Sequence, residues 1–306
     1  MSDLSGITVQ GLVAQMMLGL INGSFYAILS LGLAIIFGLL HVVNFAHGAQ
    51  FMFGAFAAWI GLTQLGPWIG APDFTLNYFA ALLVVPLLVG GLGMLFERLM
   101  LRRLYRLDNV YGLLLTLGLS LVLEGAFRQG FGVSGQSYEV PEVLSGVIRF
   151  GGMDLVLPKY RLWAALVSIG VCFATWWAIE RTRIGAFLRA GTENARLLQA
   201  FGVNVPRMVT LTYGFGVALA AFAGVLAAPV YQVSPMMGSS FIAVVFAVVV
   251  IGGIGSTFGA IVTGLGLGLV EGLTKVVYPE ASTVVVFVAM AIVLLTRPAG
   301  LFGKEQ

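Results

Sequence analysis

Charge is what this sequence has least of: only 9% of its 306 residues are Asp, Glu, Lys or Arg, against about a quarter in an ordinary soluble domain. With 59% of the chain hydrophobic, that supply of charge cannot hold it in water. Its formal charge of +3 is no nucleic-acid footprint, because the basic residues cluster between apolar runs, where they orient a chain in a bilayer. A single cysteine, Cys172 in the apolar run 162–179, excludes an intrachain disulfide and a thiolate metal cluster and reads as a small core hydrophobe. The two histidines, His41 and His47, stand in no His-Glu-x-x-His motif, and no Gly-x-Ser-x-Gly motif accompanies them. The sole Gly-Lys pair, Gly303-Lys304, is followed by Glu305 and so makes no phosphate-binding loop. No catalytic residue, metal ligand or cofactor is expected, and the chain has no ATPase site of its own.

Long apolar runs are what it does have. A helix needs roughly 20 apolar residues to cross the hydrocarbon core. Such windows lie at about 10–38, 47–66, 76–97, 111–129, 160–179, 207–230 and 282–296. A further stretch, 240–275, is interrupted by Gly252-Gly253-Ile254-Gly255-Ser256 and reads as two spans or as a span with a re-entrant half-helix. The expectation is an all-α polytopic membrane protein of eight or nine segments, forming one membrane domain over 1–306. The first apolar run follows no Lys/Arg start and no small-residue cleavage site, so it is expected to be retained as a helix.

Arginine sets the orientation, since cytoplasmic loops hold the excess of Lys and Arg. Arg98, Arg102, Arg103 and Arg106 mark one such loop, Arg181, Arg183, Arg189, Arg196 and Arg207 a second, and Arg297 with Lys304 the C-terminus. Residues 130–160 then face outward, although Arg128, Arg149, Lys159 and Arg161 also fall there. Alternation through 145–156 predicts a small hairpin lid. The N-terminus, with Asp3 and no basic residue before Arg98, fits the outside.

Ionisable residues within spans mark ion paths and proton relays. Very few lie well inside the spans; Glu124 with Arg128 and Glu271 with Lys275, near the ends of two helices, are each four apart and so able to neutralise locally. Without a buried Asp/Glu/His chain, a self-sufficient secondary transporter or channel becomes the lesser reading, alongside a structural membrane subunit without a pore. Any uphill transport must draw its energy from a partner.

Residues 181–206 form the longest cytoplasmic loop and are internally organised. Thr192 can cap a helix of about nine residues whose first turn carries Glu193, and Gly202 can end it in the left-handed conformation. Ala195, Leu198 and Phe201, with Leu197 alongside, make a short apolar stripe. It faces either a groove on a partner or the lipid interface. A second polar interruption, Asn44-Phe45-Ala46-His47-Gly48, separates two spans. Irregular backbone at membrane depth survives only beneath protein or beside water, which makes this run a candidate pathway wall. His47 reads equally as a satisfied helix-end residue, and Asn44 as a cap. At Gly252–Ser256 the glycines either expose backbone N–H groups or let helices pack closely, and packing is favoured. Segments 24–54 and 240–266 share a loose Ser-Phe…Gly…Gly-Ala pattern, a possible trace of an internal repeat.

Three stretches together carry a resemblance. The first is Gly23-Ser24-Phe25-Tyr26-Ala27, through Phe37-Gly38, to Val43-Asn44-Phe45-Ala46-His47-Gly48. The second is Arg183-Ile184-Gly185, then Arg189-Ala190, Glu193-Asn194 and Leu198 through Gly202-Val203-Asn204. The third runs from Val250 to Ser256 and Gly259-Ala260, with Arg297-Pro298-Ala299-Gly300-Leu301-Phe302-Gly303 closing the chain. The sequence resembles the branched-chain amino acid ABC transporter permease family of the LivH type over nearly its whole length, departing from it at Ala186, where many relatives carry a basic residue.

The resemblance implies an ABC importer permease fold in a multi-pass protein of the plasma membrane, the inner membrane in a bacterium. Its implied partners are a second similar permease, two cytoplasmic ATPases and an extracytoplasmic solute-binding protein. It assigns ATPase docking to Gly185, Arg189, Ala190, Glu193, Asn194, Leu198, Phe201 and Gly202, and makes Asn44, Phe45, His47, Gly48, Gly252, Gly253 and Gly255 candidate pathway residues. The implied solute is a branched-chain or other hydrophobic amino acid, with urea, short amides and aromatic acids as alternatives.

Overall fold

A computed structural model describes residues 8–40, 43–105, 107–150 and 155–303. His41, Arg106 and Lys304, which entered the motif and orientation arguments, lie outside the described residues, as does the 151–154 turn of the expected hairpin. The elements are α1 (Val9–Leu40), α2 (Ala46–Thr63), α3 (Leu65–Trp68), α4 (Tyr78–Phe96), a π-helical turn Glu97–Leu101, α5 (Arg102–Leu104), α6 (Asn109–Phe131), β1 (Val147–Phe150), β2 (Leu155–Pro158), α7 (Lys159–Arg181), α8 (Arg183–Ala200), α9 (Val205–Ala227), α10 (Met237–Gly252), α11 (Thr257–Val277) and α12 (Val284–Thr296). Six helices are long and apolar enough to cross a membrane: α1, the continuous run Tyr78–Leu104, α6, α7, α9 and α11. Helices α10 and α12 are apolar but shorter. The chain is therefore a mostly helical, polytopic membrane protein. The stretch 240–275 resolves into two helices, α11, long enough to cross a membrane, and the shorter α10.

Local chemistry sets the helix starts. Side-chain oxygens of Asn77, Asp108, Asn204 and Ser256 accept the backbone N–H of Phe79, Val110, Arg207 and Gly259. Each satisfies a donor that has no partner within its helix. Helix α6 runs two residues past the expected window 111–129 and stops at Gly132, at φ 80°, where a side chain would be strained.

Contacts group the chain into two compact units, Leu31–Glu139 with Ala174–Ala243, and Met1–Ser30 with Val140–Phe173 and Val244–Gln306. In the first unit, α2 is the buried centre, packed on α4, α6 and α9. It is weaker in hydropathy than the six long helices and carries His47 and Gln50, yet both are buried. Backbones meet directly where α2 crosses α9: a Cβ on Gly224 would overlap the Phe51 carbonyl, and one on Gly54 would overlap Ala221. Phe56 stacks with Phe127 and Phe131 of α6 at ring separations of 4.7 and 5.3 Å.

In the second unit, α1 and α11 cross through glycines. A Cβ on Gly272 would come within 2.5 Å of the Gln15 carbonyl, and one on Gly268 would overlap Gly19 and Gly23. Such close approach lets van der Waals packing hold helices in lipid, where apolar burial gives no advantage. The expected hairpin forms, β1 pairing antiparallel with β2 from Val147↔Pro158 to Phe150↔Leu155. Leu157 turns inward while Val156 stays exposed, the period-two alternation of a strand with one covered face.

Two glycine substitutions separate packing from propensity. Gly224→Val is expected to cost about 1–3 kcal/mol through overpacking. Gly170→Ala, whose Cβ would meet nothing within 4 Å, is expected to be neutral or stabilising by up to about 1 kcal/mol. Thermal unfolding of the purified variants in detergent checks both.

Candidate functional site

The break between α1 and α2 carries the densest polar chemistry in its unit. Asn44 is buried and donates its side-chain amide to Gln50 Oε1 at 3.1 Å. Gln50 donates to the Tyr213 hydroxyl at 3.2 Å. The Phe45 N–H donates to Thr116 Oγ1 at 3.2 Å, and Thr116 lies within 3.3 Å of the Val43 carbonyl and 3.0 Å of Leu113's. Irregular backbone is thus held inside protein by a side chain of α6 and a side chain of α9. Thr116 and Tyr213 lie seven and eight residues into their helices, about 10–12 Å along the axis.

His47 is fully buried, and its ring lies against Gly32. Gly48 meets Gly238 backbone to backbone, a Cβ there falling 2.5 Å from the Gly238 carbonyl. Asn44, Phe45, His47 and Gly48 are therefore one structural neighbourhood. Gln50, Thr116 and Tyr213 belong to it too. A polar residue every third or fourth position would have pointed to Gln50 beside His47, but nothing in sequence links Thr116 or Tyr213 to them.

Gly252, Gly253 and Gly255 lie elsewhere, in the turn joining α10 to α11. Gly253 and Gly255 take φ 96° and 81°. The chain's closing segment seats on this turn: the Leu301 N–H donates to the Ile251 carbonyl at 2.8 Å, the Phe302 N–H to Gly252 at 3.3 Å. A Cβ on Gly300 would fall 2.6 Å from Gly253 Cα. The glycines at Gly252 and Gly253 serve close packing here, and the two halves of the third motif are the two sides of one contact.

The docking helix, expected to be capped at Thr192 and to end at Gly202, is the second of two short helices that meet at a kink, and it begins after Asn194. Helix α8 runs from Arg183, with the Thr182 hydroxyl accepting from the Gly185 N–H. It is interrupted at Asn194 (φ −152°, ψ 90°), whose side chain accepts from the Leu197 N–H at 2.9 Å. The cap assigned to Thr192 thus belongs to Asn194, because only the residue at the break leaves helical geometry and can turn its side chain onto the new helix's first free N–H groups. The helix ends as expected at Gly202, φ 83°. There the Val203 N–H donates to Leu198 and the Gly202 N–H to Gln199, the paired bonds of a Schellman end.

The stripe divides: Leu198 is 7% exposed, Phe201 78%, and Leu197 is exposed with it. Gly185 is buried against the Ile179 carbonyl. Arg189 donates to the carbonyls of Ile179 and Glu180 and lies 3.5 Å from the Glu180 carboxylate, tying α8 to the last turn of α7. Ala190 is exposed, and the Glu193 side chain lies outside the described residues.

One buried acid escaped the sequence argument. Glu97, 0% exposed, occupies the π-helical turn. It accepts from Thr210 Oγ1 at 2.6 Å and from the Tyr105 hydroxyl at 3.0 Å, with Arg102 Nε at 3.5 Å. Arg102 also donates to Thr210 Oγ1 and to the Pro206 carbonyl, both at 2.7 Å. The widened turn explains the pairing, since i→i+5 spacing lays residue 102 under residue 97, where a regular helix would offer 101. Burial and then the Glu97 charge push the Tyr105 phenol far above its ordinary range, keeping it a donor. Glu271 pairs with Lys275 at 2.6 Å as expected and also accepts from the Tyr26 hydroxyl at 2.8 Å. Among the described residues the remaining ion pair is Glu180–Arg189. The expected Glu124–Arg128 pair does not form, Arg128 sitting exposed in the last turn of α6, where the helix dipole favours a cation.

These features define a polytopic helical membrane protein whose central helix begins at a buried polar break. Residues 15–295 match the family described as branched-chain amino acid transport system / permease component, and the chain belongs to that family. It is 31% identical over 299 residues to the high-affinity branched-chain amino acid transport system permease protein BraD of Pseudomonas aeruginosa, covering 95% of this chain and 96% of that one. The corresponding permease LivH of Escherichia coli K12 is 28% identical over 298 residues, with coverage of 95% and 96%. A probable branched-chain amino acid transport permease LivH of Methanocaldococcus jannaschii is 25% identical over 303 residues, with coverage of 94% and 91%. No solved structure matches the chain.

The Glu97 network makes an asymmetric stability prediction. Arg102→Leu leaves a buried carboxylate without its cation and is expected to cost about 3 kcal/mol. Glu97→Gln keeps the shape and loses about 1 kcal/mol of hydrogen bonding. Denaturant or thermal unfolding of the two variants in one detergent gives the order.

Proposed function

We propose that this chain is the membrane-spanning permease subunit of an ABC importer, moving branched-chain or other hydrophobic amino acids across the plasma membrane on ATP hydrolysed by partner subunits. Family membership over nearly the full length carries the reading, and the names of the relatives supply the solute class. The chain's own chemistry agrees with it: a break with a buried amide and hydroxyl cluster suits a solute whose charged ends need hydrogen bonds and whose side chain needs none.

In this reading one permease domain spans 1–306 and crosses the membrane eight or nine times. The two shorter apolar helices and the buried α2 join the six long ones to reach that number. The N-terminus lies outside, and the arginine-bearing loops and C-terminus lie inside. Asn44, Phe45, His47 and Gly48 line the path, together with Gly252, Gly253 and Gly255. The cytoplasmic segment 181–206 docks an ATPase through Gly185, Arg189, Ala190, Glu193, Asn194, Leu198, Phe201 and Gly202. The complete importer adds a second homologous permease, two ATPases and an extracytoplasmic binding protein, in a bacterial inner membrane.

The test is reconstitution into proteoliposomes. With partner ATPases, second permease and loaded binding protein, ATP is expected to drive uptake of labelled leucine. Uptake by this chain alone on an ion gradient would overturn the reading. In the assembled complex, Phe201→Cys, 78% exposed in the chain by itself, is expected to crosslink to an ATPase. Absence of any adduct would remove α8 from the docking surface.

A further inference from the structure

Three residues of α9 at helical spacing, Pro206, Thr210 and Tyr213, are each engaged by polar side chains of other elements. Arg102 takes the Pro206 carbonyl, Glu97 and Arg102 take Thr210, and Gln50 takes Tyr213. Positions i, i+4 and i+7 share one face of a helix. That face therefore carries two hydrogen-bonded groups in succession, one on the first turns of α9 at Pro206 and Thr210 and one at Tyr213 that leads through Gln50 to Asn44.

Its lower end begins directly after α8. The Schellman end at Gly202 and the Asn204 cap on the Arg207 N–H leave only residues 201–204 between the two helices. Such short, capped connections transmit a displacement instead of absorbing it. Above the network, α4 and α9 interlock through small residues: a Cβ on Gly90 would come within 2.9 Å of Gly214 and Ala218, and one on Gly93 within 2.9 Å of Val217.

Resting on the reading above, we propose that Glu97 is a positioning residue that couples the docking segment to the pathway. By holding Thr210 and, through Arg102, Pro206, it fixes the first turns of α9 on the π-helical turn of α4. A push on α8 then reaches Tyr213, Gln50 and Asn44 as movement of α9 and α4 together. Without the carboxylate, the push dissipates as slippage of the first α9 turns past α4. A π turn suits this place because its irregular register supplies the i→i+5 pairing and a locally deformable seat.

The experiment is made on the assembled transporter, measuring uptake and ATP hydrolysis in the same vesicles. Glu97→Gln is expected to keep assembly and to hold hydrolysis within about twofold, while uptake per ATP falls at least about tenfold. Thr210→Val, which removes the hydroxyl that meets both Glu97 and Arg102, is expected to do likewise, and the double variant to be no worse than the Thr210 variant, since both weaken one link. Unchanged uptake per ATP in both variants overturns the proposal. So does a proportional fall of uptake, hydrolysis and assembled complex in both, because that makes Glu97 structural only. If the unsubstituted transporter shows no ATP-driven uptake, it is the importer reading that fails, and the coupling role falls with it.

Discussion

A polar group inside a bilayer has no water to turn to, so each must find its partner within the protein. That constraint accounts for the spending of this chain's few polar residues. Asn44 donates to Gln50 and Gln50 to Tyr213, and Thr116 meets the irregular backbone at Val43 and Phe45, while Asn44 Oδ1 has no hydrogen-bond partner among the described residues. Glu97 takes two hydroxyls and a guanidinium, and Glu271 a hydroxyl and an ammonium. The break between α1 and α2 exists only because α6 and α9 bring hydroxyls to it.

The same solvent removes the usual reason for helices to associate, because lipid is as apolar as leucine. Close backbone approach takes over. The α2–α9 crossing at Phe51, Gly54, Ala221 and Gly224 and the α1–α11 crossing at Gly19, Gly23 and Gly268 both depend on missing side chains. Backbones meeting directly can slide without unlocking interdigitated side chains, which suits a protein that must change shape. The polar clusters then supply the register that smooth glycine surfaces leave undetermined.

Much of the fold is legible in the sequence because membrane thickness sets a length that apolar runs must match. The starts and ends of α1, α6, α7, α9 and α12 fall within a few residues of the windows read from hydropathy. Asn44 through Gly48 is legible as a break because polar residues stand out in such a chain. Its partners are not: Thr116 and Tyr213 lie about 70 and 170 positions away along the chain, and hydroxyls are unremarkable in apolar helices. Glu97 was hidden twice over. It sits among arginines at a span's edge, and its cation stands five residues on, a spacing that only the π turn makes meaningful. The α8 boundary was misplaced because Thr182, Thr192 and Asn194 are all good caps, and only three-dimensional context chooses which of them break the helix.

Helix α9 unites these points. It gives the glycines that receive α2 and α4, the hydroxyls that satisfy Glu97 and Gln50, and the N-terminus that continues from α8. A helix holding all three roles cannot move at one end without consequence at the other, for its polar partners sit at 206, 210 and 213 on one face and its packing glycines at 214 and 224 beyond them. In the importer reading, such a member is needed if work is to enter at the docking segment and be delivered at the polar break. Placing the acid at this end, paired with Arg102, holds the first turns of α9 without leaving the buried carboxylate uncompensated.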